Sequence, residues 1–306
     1  YILMIGDDDY LLPDYFGKMD KLLEQYRYPD CITYKYNVFI SPNAMANKVS
    51  YYSLDGFKFG CKYPVKGGTL LPQARLSMLK DMFVFNSSFP WLMQPTLISR
   101  QAVDRIRGDM FQAPYPDFYA LGSLLMVADS WIYHPETLLI VGVTTQSHGS
   151  YQYSSNYERE MKGLEYLGIN NDDEAQERDH QPFNYWQIDQ LILWVKKMKS
   201  NYPENLNGFE VDRSRCLLML VLFWYFDYKR GTLSLMSLFR KVCKLSFSDW
   251  MGMLLSGLIS AQIWKRLWRE LIGMGSNQVQ KVWVSAQALD KEITNIKQFA
   301  LWIDKR

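Results

Sequence analysis

Three consecutive carboxylates, Asp7, Asp8 and Asp9, stand one glycine beyond the apolar run 1–5 (YILMI). No buried element can run through such a triplet, because neighbouring carboxylates in a low-dielectric interior oppose one another's ionisation. The triplet therefore marks a place where the chain leaves the interior. The run before it has the length and composition of a short buried strand. The stretch after it, 13–26, has helical spacing with Pro13 in the first turn, where a missing N–H costs little. Strand, acidic turn, helix is the opening of an α/β protein.

The pattern continues for about half the chain. Residues 31–40, 91–99 and 137–143 favour β structure, whereas 72–83, 100–107 and 117–130 carry helical spacing. Near residue 150 the character changes, through the polar stretch SHGSYQYSSNYERE and the charged loop 170–180. Beyond it the apolar spacing predicts helices at 184–199, 212–228, 232–244, 247–273 and 278–303. The expected organisation is an α/β part, residues 1–155, followed by an all-helical appendage, 156–306.

Composition narrows the function classes. With 48% hydrophobic and 22% charged residues the 306-residue chain is an ordinary globular sequence. A net charge of +2 points to no polyanionic partner, so nucleic acid is not expected. The basic residues are nonetheless uneven: 227–269 holds eight against Asp227 and Asp249. In that region Trp264, Leu267, Trp268 and Leu271 share a helical face, with Lys265, Arg266 and Arg269 largely off it. This pattern suits either an interfacial helix on anionic lipid or an ordinary helix with its tryptophans in the core. The four cysteines form no CxxC pair, which indicates neither zinc nor a disulfide framework and suits a reducing, cytoplasmic compartment. The longest apolar run, 216–226, is too short to span a bilayer, leaving peripheral contact with an inner membrane face through 227–273 as the expected membrane association. The sequence opens at Tyr1, already inside an apolar run, and reads as a fragment.

The acidic turn carries the chemistry. Three carboxylates at a strand end either form a solvated turn or require a counter-cation, and hard oxygen donors suit Mg²⁺ or Mn²⁺, which bridge carboxylates to substrate phosphates. The segment YILMIGDDDYLLPDYF, with an apolar strand, an acidic cluster, a proline four residues beyond the last Asp and an amphipathic helix, resembles the metal-binding segment of family 2 glycosyltransferases of the GT-A fold. In that alignment Gly6 stands where many members carry the first acidic residue, while Asp8 and Asp9 match the acidic pair. The resemblance implies a partial GT-A mixed sheet with flanking helices. It also implies a metal held by Asp8 with help from Asp7 or Asp9, a nucleotide-sugar donor, and a glycan or lipid-linked acceptor. A second matching segment, APYPDFYALGSLLMVADSWIYHPETLLIVG, puts Asp117 where the family carries its catalytic base, though Pro116 stands where members often have another acidic residue. From its spacing alone, Asp117 equally suits a helix cap. By the same resemblance His148 is a candidate third metal contact, and Trp91 stands among acceptor-facing loops, where it either stacks on a sugar or packs in the core.

The match covers residues 1–150, and the nucleotide-binding strands that open family members have no counterpart in it, which implies an inactive fragment. The function so implied is inverting, metal-dependent glycosyl transfer in polysaccharide biosynthesis. Two other classes stay open: metal-dependent phosphate-ester chemistry on Asp7 to Asp9, which usually has Thr or Val where Leu11 stands, and a non-catalytic membrane- or protein-binding module.

Overall fold

A computed structural model describes residues 1–44, 47–54, 67–83, 89, 91–112, 115–147, 186–230, 233–259 and 286–304. The chain is a mixed α/β protein built on a seven-stranded sheet, with flanking helices and a mostly helical C-terminal region. It separates into two compact units. The first comprises Tyr1–Leu79, Ser87–Ile169 and Gly275–Arg306, and the second Lys80–Asn86 and Asn170–Met274.

Two long strands form the centre of the first unit. Strand β2 (Cys31–Ile40) runs parallel to β6 (Trp131–Val143) over its whole length. Nine of the ten β2 residues are buried, which is why CITYKYNVFI is apolar or aromatic at nearly every position and not strictly alternating. Short antiparallel strands then divide the outer edges between them. Strand β5 (Thr96–Ile98) pairs with the start of β2 and β3 (Tyr51–Ser53) with its end. Along β6, β4 (Gly68–Thr69) pairs with the start and β1 (Tyr10–Leu11) with the later part. The β2–β6 register slips on either side of Lys35, which faces Thr137, so that Pro135, Glu136 and Leu138 have no partner on β2. A proline cannot donate to the ladder, so a bulge is the form in which a central strand accommodates it.

The helices α1 (Tyr15–Gln25), α2 (Pro72–Phe83), α3 (Arg100–Asp104) and α4 (Pro116–Val127) fall where the apolar spacing predicts them. Residues 1–5 do not form the expected strand. Ile2 alone makes a bridge, to Ile98, and Ile5 is exposed. Ladder pairing begins only after the acidic residues, at Tyr10.

An ionic knot that the sequence does not announce holds the start of the central strands together. Asp30, buried just before β2, accepts from the Ser99 hydroxyl at 3.0 Å and the Asp129 N–H at 2.6 Å, and pairs with Arg105. Burial favours its neutral form, but the Asp129 N–H, the Ser99 hydroxyl, the Arg105 cation and the Ser130 N–H together hold its carboxyl below the ordinary value. Its stabilisation is therefore complete above the ordinary carboxylate range and is lost as pH falls through the depressed value.

The C-terminal segment departs from the expected organisation. In place of a continuous helix over 278–303, strand β7 (Gln287–Ala288) pairs with β3, and only Ile296–Asp304 is helical among the described residues there. Phe299 of that helix stacks on Phe39 at 5.4 Å and meets Tyr52 at 5.5 Å. The tail thus returns to the first unit, so a single cut near 155 does not describe the division. Pairing with the free edge of β3 overrides the helical pattern at 287–288, as tertiary context does for any weak local preference.

The second unit is helical among its described residues. Helices α5 (Trp186–Asn201), α6 (Pro203–Leu206), α7 (Arg213–Arg230), α8 (Leu235–Val242) and α9 (Phe247–Ile259) contribute to it. Cys216, Leu217, Leu220 and Trp224 of α7 form its core with Met253 of α9. Among the described residues no helix is long and apolar enough to cross a membrane.

Candidate functional site

The acidic tetrapeptide folds into a tight turn laid against the carboxyl end of β6. The Asp9 N–H donates to the Gly6 carbonyl at 3.3 Å, and the Asp9 carboxylate accepts the Gly6 N–H at 2.6 Å, closing the turn from both sides. The other Asp9 oxygen accepts the Gly142 N–H of β6 at 3.0 Å. Burial pushes the Asp9 carboxyl above its ordinary value, against the two backbone donors and with the repulsion of Asp8 and Asp7. Both Asp9 oxygens are thus committed to backbone. Asp9, expected to be a metal ligand, accepts two backbone N–H groups that fix the turn to the sheet.

The partly buried Asp8 bonds to side chains instead. One of its oxygens accepts from the hydroxyls of Ser147 and Thr144, the latter at 3.4 Å. These two residues sit in the turn directly after β6, where the Thr144 N–H donates to Ser147 Oγ at 2.7 Å. The second Asp8 oxygen, Oδ1, accepts no hydrogen bond among the described residues, and Asp7 is exposed. Two glycines make this possible. A Cβ on Gly142 would lie 1.8 Å from the Asp8 carbonyl oxygen, so the turn packs on β6 only because that position lacks a side chain. A Cβ on Gly6 would lie 2.9 Å from Asp8 Oδ1 and 3.2 Å from the Asp9 carboxylate. An acidic side chain at position 6 would crowd the carboxylates beside it, which gives Gly6 a physical reason here.

Asp117 occupies the second position of α4, after Pro116, and the cap position belongs to Tyr115. It is therefore not the N-cap. Half-buried, it has no hydrogen-bond or ion-pair partner among the described residues, and burial pushes its carboxyl above the ordinary value. Beside it Phe118 packs on Tyr115 at 4.9 Å and on Trp91 at 5.3 Å. Trp91 is itself 6% exposed and also packs on Phe89, so it is a core residue and not a sugar-stacking surface.

Asp7, Asp8 and Asp9 are thus gathered with Gly142, Thr144 and Ser147, whereas no hydrogen bond or ion pair joins Asp117 to them. His148 lies outside the described residues. Among the described residues no group of three His, Cys, Asp or Glu side chains is arranged to hold a metal ion. The carboxylate oxygens that accept no hydrogen bond among the described residues are Asp8 Oδ1 and those of the exposed Asp7. That set is all oxygen and small, which fits a Mg²⁺ or Mn²⁺ that takes one or two carboxylates from protein and the rest from substrate phosphates and water. Thr144 and Ser147 were missed from sequence, although a glycine near a strand end followed by hydroxyl residues (VGVTTQS) is a signal of a close backbone approach with polar donors beyond it. No protein-family model and no curated protein matches the chain.

Proposed function

We propose that the chain carries the metal and acceptor side of an inverting glycosyltransferase that uses a nucleotide-diphosphate sugar and a glycan or lipid-linked acceptor. One observation carries the reading: a partly buried Asp8, with one oxygen accepting no hydrogen bond among the described residues, beside the carboxyl end of β6 in a parallel pair. Ligands of open α/β sheets bind beyond the carboxyl ends of parallel strands, and this end is lined by carboxylate and hydroxyl groups. The parallel β2–β6 centre with antiparallel edges also agrees with the back part of a GT-A sheet.

In this reading Asp8, with Asp7 beside it, holds the Mg²⁺ or Mn²⁺, and that ion supplies positive charge against the departing diphosphate. Thr144 and Ser147 orient Asp8 by holding its inner oxygen. Asp9 takes no part beyond fixing the turn. Asp117 accepts the acceptor's hydroxyl proton as that oxygen bonds to the anomeric carbon and the carbon–diphosphate bond breaks on the opposite face. A carboxylate whose burial raises its basicity is better suited to that step than an exposed one.

The test is release of nucleoside diphosphate from nucleotide sugars by the full-length protein, in Mn²⁺ and in EDTA. Release from at least one donor, abolished by EDTA, is the expected result. No release from any donor, or release indifferent to EDTA, contradicts the proposal.

A further inference from the structure

Helices α8 and α9 of the second unit are apolar on the side that packs and on the side that does not. Leu238, Val242 and Trp250 pack against the α7 cluster, and Met253 lies within it. On the other side Leu235 and Phe239 of α8 are each 63% exposed, and Phe247 of α9 is 81% exposed. Met251, Leu254 and Leu255 follow Phe247 at the i+4, i+7 and i+8 positions, and all three are exposed. Single exposed apolar residues are ordinary, but helical stripes of them on two consecutive helices are not, and such stripes mark binding faces.

The charges beside the stripes identify the occupant. Arg240 and Lys244 are exposed, and Lys241 lies 5.1 Å over the Trp224 ring. Asp249, the single acidic residue of 233–256, is turned onto Ser246 and Arg213. The surface is therefore apolar with a cationic margin, the complement of an anionic bilayer, where apolar side chains enter the acyl boundary and Lys and Arg remain among headgroups. We infer that α8 and α9 dock the protein on an anionic membrane surface through Phe239, Phe247, Met251, Leu254 and Leu255. Residues 264–271 lie outside the described residues, and the inference stands independently of the proposed transferase activity.

Flotation of the purified chain with phosphatidylcholine vesicles, with and without added anionic phosphatidylglycerol, tests this. The parent is expected to float with the anionic vesicles, and less so as salt rises. Arg240→Gln with Lys244→Gln should lower the partition coefficient about fivefold per residue. Phe239→Ser with Phe247→Ser should lower it at least about tenfold, since each ring forfeits its burial in the acyl boundary. The charge variant alters only exposed side chains and keeps the test decisive if the serine variant misfolds. Failure of the parent to float, or equal flotation of parent and charge variant, overturns the inference. A dimer in light scattering that the serine variant dissolves, without vesicle binding, would overturn it too and give the face to a second copy of the chain.

Discussion

Asp117→Asn is expected to lower turnover of the full-length protein by about 10²–10⁴-fold, the usual range for removal of a general base, while leaving the fold intact. Asn keeps the shape of the side chain but cannot take a proton from an acceptor hydroxyl. The structural cost is small because Asp117 caps nothing: the cap position is Tyr115, and the carboxylate has no partner among the described residues. Losing a negative charge in the first turn of α4 costs about 0.3–1 kcal/mol, and removing a desolvated charge offsets it, so net stability should stay within about 1 kcal/mol of the parent. The pH dependence separates this from a neutral surface change. Burial holds the folded-state value above the ordinary 3.8, so the folded parent takes up its proton first as pH falls. The parent therefore gains stability as pH drops through that raised value towards the ordinary one, and the Asn variant lacks this gain. Relative to the parent, the variant should be most stable near neutrality and lose ground on the way down. Normal turnover in a folded Asp117→Asn protein would remove Asp117 from the chemistry.

Gly142→Ala should cost about 3 kcal/mol, the upper end of what overpacking does to a well-packed site, and should release the acidic turn. The added methyl would stand 1.8 Å from the Asp8 carbonyl oxygen and 2.7 Å from its carbonyl carbon. Both are backbone atoms, so no rotamer change relieves the contact. Either β6 or the turn must move. Moving the turn breaks the bond from the Gly142 N–H to Asp9 and strains the pairing of Tyr10 and Leu11 with Ile140 and Leu139. Urea unfolding should show the loss, and metal binding at Asp8 should fall with it. A change below about 1 kcal/mol, smaller than overpacking normally produces, would mean that the turn is not seated on β6.

Much of this arrangement was legible in the residues. Strand β2 and helices α1, α2 and α4 follow directly from period and punctuation, because each buries one stripe or one run. The acidic triplet was legible as a turn at a sheet edge, but its strand was misassigned. The apolar run 1–5 reads as the strand that presents the carboxylates, whereas β6 does so from more than a hundred residues away. Local sequence cannot show that, since it depends on which strand end accepts the turn. The same limit hides the two backbone bonds by which Asp9 ties the turn to β6. It also explains Asp30, which stands in an unremarkable Tyr-Pro-Asp-Cys stretch and gathers Ser99, Arg105 and Asp129 only once β2, α3 and β6 are in place. At the C-terminus the helical pattern of 278–303 gave way to β7 because the edge of β3 offered backbone partners that no periodicity in the tail reveals.

In the proposed reading Asp8, and not Asp9, holds the metal that meets a nucleotide diphosphate. This is tested most directly by calorimetric titration of the full-length protein and its Asp8→Asn variant with a nucleoside diphosphate, UDP or GDP, at fixed Mn²⁺ and in its absence. Mn²⁺ is expected to tighten nucleotide binding in the parent and Asp8→Asn to lose at least about tenfold of that affinity, with its melting temperature nearly unchanged because Asp9 still fixes the turn. Equal Mn²⁺-dependent affinity in parent and variant, or nucleotide binding that ignores Mn²⁺ in both, would contradict it.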